Sequence, residues 1–227
     1  MKAISILFLA IAFYPLIAAA ADDDTKKESA WVEIFDGATT KGWKPNADEG
    51  AYRVENGALR LQATHPKNRG HLFFVGDDRE LDRFKNFELE VIARGEPNSN
   101  SGIFFHTDMA TRDKVLHLAN GYEIQLNSSL KEKRKTGSLY DVVDLTEAVI
   151  DDTKWFTVRI RVEGKRIQAW LNDKQTIDYT EPENVVSQRS EKRKGRVLRE
   201  EGGAIALQAH DEDSVFYFRS IRIRELP

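Results

Sequence analysis

A glutamate and two amides recur at every second position in Gly121-Tyr122-Glu123-Ile124-Gln125-Leu126-Asn127. In an extended run successive side chains point to opposite faces, so Glu123, Gln125 and Asn127 line one face while Tyr122, Ile124 and Leu126 pack on the other. An acid beside two amides suits the binding of hydroxyl groups. The outward, solvated face that every sandwich carries explains the pattern equally well. The same parity sets Gln208 and His210 on one face of residues 205–210, opposite Leu207 and Ala209. His210 is the most attractive titratable group, because imidazole gives or takes a proton near neutral pH; its plainer reading is a surface histidine at a strand end. His106 closes the run 101–106 and shares a face with Phe104, whereas His65, His71 and His117 stand in loop-like contexts with no partner at ligand spacing. Arg219 lies in an aromatic run, 215–220, where an arginine is costly unless it pairs with an acid or holds a ligand. Glu123 is a candidate partner for it. Tyr140 follows Thr136-Gly137-Ser138-Leu139, a loop able to set its ring at the rim of a site.

The common alternatives leave no trace. The chain has no His-Glu-x-x-His, no EF-hand carboxylate run, no Gly-x-Ser-x-Gly and no phosphate-binding glycine loop. Its formal net charge is -3 with both signs mixed along the chain, which speaks against a nucleic-acid partner.

The elements that must position these residues are short alternating runs separated by turn signals, the pattern of a sandwich or barrel. Strands are expected at 51–54 and 58–62 around the hairpin turn Asn56-Gly57, then at 72–75, 87–94, 101–106, 122–127, 155–162 and 167–171. Two more are expected at 204–209 and 215–225. Residues 78–83 and 146–151 each suggest one short helical turn. Lys131 to Lys135 reads as a charged loop, and 180–203 as a long connection, a lid or a disordered segment. Trp31, Trp43 and Trp155 fall near strand beginnings and are expected in the core. Twelve Phe, six Tyr and four Trp supply enough large side chains for that core.

The N-terminus reads differently. Lys2, an uncharged apolar run over 3–17, and Ala18-Ala19-Ala20-Ala21 form a cleavable signal peptide over 1–21. The apolar run is shorter than the ~20 residues that span a bilayer, which argues against a stable membrane anchor. A polar, disordered leader over 22–29 follows, and a single domain over 30–227. The expected location is periplasmic or secreted. With no cysteine in the chain, core burial alone must hold that domain together.

Several segments together resemble a known family. Trp31 to Gly37, Gly42-Trp43 and Tyr52 to Gly57 look like the opening of the domain of unknown function 1080, the 3-keto-disaccharide hydrolase domain. Phe87 to Glu90, Asn100 to Phe105, Gly121 to Gln125, Thr136 to Tyr140, Leu171-Asn172, Leu207 to His210 and Phe218 to Leu226 follow in the expected order. The resemblance implies an all-β, concanavalin A-like jelly-roll sandwich of two antiparallel sheets, with its site on the concave face of one sheet. It also implies cleavage of glycosides already oxidised to a ketone at sugar carbon 3, by elimination and then hydration. Glu123 or His210 would be the base or the acid. Asn100, Gln125 and Gln208 would bind hydroxyls or the keto oxygen, and Arg219 would steady Glu123 or the enolate. His106 stands where the family pattern has an arginine, and Asn127 where it often has an acid; both remove charge from the expected site. A divalent metal assists the enolate in some relatives, but no cluster of ligand residues marks one here. The partner implied is a carbohydrate. The competing readings are a non-catalytic carbohydrate-binding module, since this fold also serves lectins, and a structural exported domain.

Overall fold

The computed structural model describes residues 29–65, 69–77, 81–188, 190 and 194–227. The expected signal peptide and residues 22–28 of the expected leader lie outside the described residues. In chain order the strands are β1 (Val32–Glu33), β2 (Trp43–Pro45), β3 (Tyr52–Glu55), β4 (Ala58–Leu61), β5 (Gly70–Phe74), β6 (Phe87–Gly95) and β7 (Asn100–Arg112). They continue with β8 (Val115–Ala119), β9 (Tyr122–Asn127), β10 (Phe156–Glu163), β11 (Arg166–Leu171), β12 (Lys174–Thr180), β13 (Ala204–Ala209) and β14 (Phe216–Glu225). One sheet has the order β12-β11-β10-β6-β14-β4-β3 with β1 on β14; the other has β2-β5-β13-β7-β8 with β9 on β7. The two antiparallel sheets form the jelly-roll sandwich that the resemblance implies.

Alternation builds the core between them. From the larger sheet come Phe87, Leu89 and Val91 of β6, Val158, Ile160 and Val162 of β10, and Phe216, Phe218, Ile221 and Ile223 of β14. From the smaller sheet come Leu72, Ile103, Phe105, Tyr122, Ile124, Leu126, Ile205 and Leu207. These side chains form one cluster, and their apolar burial is the dominant favourable term in folding. The other face of the larger sheet carries charge. Glu88 receives both Arg161 and Arg224, Arg222 pairs with Glu90, and Arg94 and Arg219 lie over Trp155.

Turns follow local chemistry. Asn56 (φ 51°) and Gly57 (φ 74°) both occupy the left-handed region that a two-residue hairpin turn needs. Asp113 (φ 50°) and Lys114 (φ 66°) do the same between β7 and β8.

Several expectations need correction. No helix forms at 146–151 or over the described residues 81–83; the described helical pieces are a 3-10 turn at Glu49–Ala51 and a short α-helix at Val185–Gln188. Trp43 is buried, but Trp31 is only half-buried beneath Arg222 and Arg224, and Trp155 is 38% exposed. Both rings serve as platforms for arginines on the outer face rather than as core. Strands β1, β2, β8 and β12 fall outside the expected runs, because their sequences lack a clean apolar alternation.

One irregularity redirects a candidate site residue. Between the pairs Ala206–Phe104 and Ala204–Thr107, β7 carries one residue more than β13. His106 takes up the excess with φ 51°, as a β-bulge does. Its side chain therefore leaves the face of Phe104 and enters the core, 1% exposed and stacked 6.2 Å from Phe87. There Nε2–H donates to the Lys85 carbonyl at 2.9 Å, and Nδ1 accepts from the Arg199 amide at 2.9 Å. Burial pulls its pKa below the ordinary histidine value, and the ring is spent on structure.

Gly203 allows this bulge, because a Cβ there would stand 2.4 Å from the His106 carbonyl carbon. Gly203→Ala should therefore destabilise the protein by about 1–3 kcal/mol, the usual range for forced overpacking. Urea denaturation would show this as a lower midpoint, and an unchanged midpoint would refute the packing argument.

Candidate active site

Strand register turns the parities of the smaller sheet into a two-dimensional map. Phe73, Ala206, Phe104 and Glu123 form one row across β5, β13, β7 and β9. His71 pairs with Gln208, and Gly102 with Gln125, which makes the next row. His210, Asn100 and Asn127 make a third, with Asn100 paired to Asn127 and touching His210. An apolar row thus lies beside two polar ones, and Glu123 ends the apolar row. Of the polar residues, His71, Gln208, Gln125, His210 and Asn100 line a cleft of about 650 Å³ on the face turned away from the core.

Glu123 is 6% exposed and reaches over Gly102, where a Cβ would meet its Oε1 at 2.5 Å. A side chain at 102 would therefore push the Glu123 carboxyl out of this position. Burial pushes the Glu123 carboxyl up to about 7, and the Arg196 guanidinium, 3.7 Å from Oε2, offsets only part of the rise. The strand that carries Glu123 would otherwise be an open edge. The segment Thr136 to Tyr140 closes it: the Gln125 amide donates to Ser138, and the Gly137 and Tyr140 amides donate to Gln125 and Glu123.

His210 is oriented from behind. Its Nδ1–H donates to Asp211 Oδ2 at 2.6 Å, which leaves Nε2 as an acceptor 3.4 Å from Asn100 Nδ2. Asn100 Oδ1 in turn accepts from Gln125 Nε2 at 3.2 Å. Burial lowers the His210 pKa and outweighs the opposing pull of Asp211, so the ring is neutral at neutral pH. Burial also tends to raise Asp211, but bonds from His210 and Ser214 win, and it stays below the ordinary carboxylate value. Together they form a neutral imidazole backed by an ionised carboxylate, with a lone pair on the ring nitrogen beside Asn100.

The remaining expected residues divide. Asn100, Gln125, Tyr140 and Gln208 line the same cleft as Glu123 and His210. Tyr140 holds Arg196, 4.9 Å from its ring centre, and Arg134 at 4.6 Å, so its ring clamps cations. His106, Asn127 and Arg219 lie elsewhere. His106 is in the core, as described above. Asn127 donates to the carbonyls of Glu132 and Arg134 and accepts from Ser129, because the 128–135 loop folds back over it. Arg219 belongs to β14 in the opposite sheet, at a register shift between Phe218 and Ser220, and stacks 4.6 Å from Trp155. It cannot steady Glu123; Arg196 stands in that place.

Arg196 lies in the connection read as a lid or disordered segment. Its described part is fastened around Arg196 by backbone bonds. The Gly121 amide donates to Gly195, the Leu198 amide donates to buried Glu181, and the Arg199 amide donates to His106. Glu181 also accepts from Tyr122 at 2.6 Å. Sequence reading also missed His71, which extends the expected strand by two residues and packs edge-on against Phe104 at 5.1 Å. Burial, with the Arg69 and His210 charges, pulls its pKa down to about 3. His117 lies on β8 and reaches the cleft rim. Asp211 was visible as the immediate neighbour of His210. Among the described residues no three His, Asp or Glu side chains stand close enough to share a metal ion, so the donor set does not fit one.

The sequence matches the 3-keto-alpha-glucoside-1,2-lyase-like domain over residues 30–224. It is 24% identical to a 3-keto-disaccharide hydrolase of Bacteroides thetaiotaomicron, across 86% of this chain and 78% of that one. The fold is similar to a crystal structure described as a candidate glycosyl hydrolase from Parabacteroides distasonis, at a TM-score of 0.70 and 20% identity, covering 87% and 94% of the two chains. It is also similar to the carbohydrate binding module CBM66 from Bacillus subtilis, at 0.52 and 15%, covering 80% and 94%.

The Glu123 environment has a consequence for stability. With a pKa near 7 when folded and about 4.5 in the open chain, the folded state holds a proton between pH 4.5 and 7 that the unfolded state has lost. That contribution is present at low pH and disappears as pH rises through this window, a change of the order of 3 kcal/mol. Glu123→Gln should flatten this fall. Urea midpoints at pH 5, 6 and 7 would run parallel in the two proteins if the carboxyl were ordinary.

Proposed function

This chain belongs to the 3-keto-alpha-glucoside-1,2-lyase-like domain family, and we propose that it cleaves 3-keto-glycosides by elimination followed by hydration. The observation that carries the reading is the pairing, in one cleft, of an oriented neutral imidazole with a carboxyl raised to about 7. A ketone at carbon 3 acidifies the hydrogen on carbon 2. His210 Nε2 takes that proton, and the electron pair forms the enolate of carbons 2 and 3. Collapse of the enolate restores the ketone, makes the double bond between carbons 1 and 2 and breaks the bond from carbon 1 to the leaving oxygen. Glu123 delivers its proton to that oxygen. The unsaturated ketone then takes up water: Glu123, now ionised, accepts a proton from water as its oxygen bonds carbon 1, and His210 returns a proton to carbon 2.

Each role matches a property of the side chain. A base must be unprotonated at working pH, and burial with Asp211 orientation provides that at His210. An acid must keep its proton near neutrality, and burial provides that at Glu123. The amides of Gln125 and Gln208, with the cations Arg69 and Arg196 at the cleft, surround the developing enolate oxygen. This chemistry needs an acid and a base but not the paired carboxylates of ordinary glycosidases. The fold similarity to hydrolase and carbohydrate-binding relatives agrees with a sugar ligand. The N-terminal sequence supports export to the periplasm or medium.

Purified protein should release the aglycone from a 3-keto-glucoside, and His210→Ala and Glu123→Gln should each slow release by about 10²- to 10⁴-fold. A substrate deuterated at carbon 2 separates mechanisms, because elimination passes that deuteron to an exchangeable group. Full retention of the label together with no primary isotope effect on aglycone release would exclude elimination. Saturable glycan binding without turnover would identify a binding module instead.

A further inference from the structure

Resting on the reading above, we infer that the cleft selects 3-keto-glucosides whose leaving group is apolar, an aryl or aralkyl alcohol rather than a second sugar. The register map supplies the first observation. Glu123, which protonates the leaving oxygen, is paired directly with Phe104, and Phe104 continues into Ala206 and Phe73 along the apolar row. The polar rows, which hold His210, Asn100, Gln125 and Gln208, lie to one side of it. A ring whose carbon 2 faces His210 and whose hydroxyls meet the amides therefore directs its carbon 1 substituent toward Phe104.

The β7–β8 hairpin supplies the second. Val115, Leu116 and Leu118 line the cleft together with Phe104. Leu118 also packs on the small apolar cluster of Phe73, Val75, Phe104, Ala204 and Ala206. The hairpin is tied down by Asn46, whose Nδ2 donates to the Leu116 carbonyl at 3.2 Å. Val115 is 48% exposed, so its side chain is open to a ligand in the cleft. The cleft, at about 650 Å³, lies within the ~300–1,000 Å³ of sites for drug-sized ligands and has room beyond one hexose ring. A second sugar at that wall would set part of its hydroxyl surface against Phe104, Leu116 and Leu118, which costs affinity.

The test compares 3-keto benzyl glucoside, 3-keto methyl glucoside and a 3-keto disaccharide, all three with alcohol leaving groups. At about 25 cal/mol per Å², a phenyl ring that buries roughly 60 Å² against the wall lowers KM about tenfold relative to methyl. Val115→Ser and Leu116→Ser, separately and together, should reduce that ratio toward one; Val115 is exposed enough that its replacement leaves folding intact. Equal KM values for benzyl and methyl, a preference for the disaccharide, or a ratio unmoved by the hairpin variants would each overturn the inference. Calorimetric binding of the unoxidised benzyl and methyl glucosides reads the wall without chemistry. Failure to cleave all three substrates, with benzyl still bound about tenfold tighter, would remove the catalytic reading and keep the apolar subsite.

Discussion

Between the two sheets, Phe87, Leu89 and Val91 of one belong to the same apolar cluster as Ile103, Phe105, Ile124 and Leu207 of the other, each essentially free of solvent contact. With no cysteine anywhere in the chain, this layer is what holds the two sheets face to face. Because a strand can turn only every second side chain inward, the same layer fixes what stands on the outside. Committing Ile124 and Leu207 to the core places Glu123, Gln125 and Gln208 on the cleft side. The polar rows of the site are the reverse face of the hydrophobic core.

A second tier of interactions is polar and long-range. Glu181, 5% exposed, accepts from the Tyr122 hydroxyl on β9 and from the Leu198 amide, while His106 accepts from the Arg199 amide. These bonds hold the segment that carries Arg196 against the sheet and bring a cation to Glu123. Without them the carboxyl would lose the largest of the charges that oppose its burial. Each such buried bond contributes modestly when made and costs more when left unmade, which gives the strap a defined seat.

Much of this was legible in the sequence because it depends on period two. The runs 122–127 and 204–209 coincide with β9 and β13, and the partition of Glu123 and Gln125 from Ile124 and Leu126 follows from alternation. What was not legible depends on events that break the period or on partners distant along the chain. A one-residue bulge sends His106 inward, and nothing in Ser101 to His106 announces it. Arg219 has plausible local surroundings, but alternation within one strand cannot say to which sheet that strand belongs. Asn127 looks like the third member of a binding row until the loop that follows takes its hydrogen bonds. Arg196 was hidden in a basic stretch whose composition resembles solvated loop.

The division of labour around Glu123 separates tuning from support. The carboxyl, the glycine beneath it and the imidazole are built into strands, or directly onto a strand end, whose opposite faces are core, so few substitutions are tolerated there. The guanidinium that tempers the carboxyl arrives on a connecting segment, the kind of element that accepts replacement most readily. The proton affinity of Glu123 and the integrity of the core are therefore set by separate elements: a change near Arg196 shifts the carboxyl while leaving the packed layer between the sheets untouched.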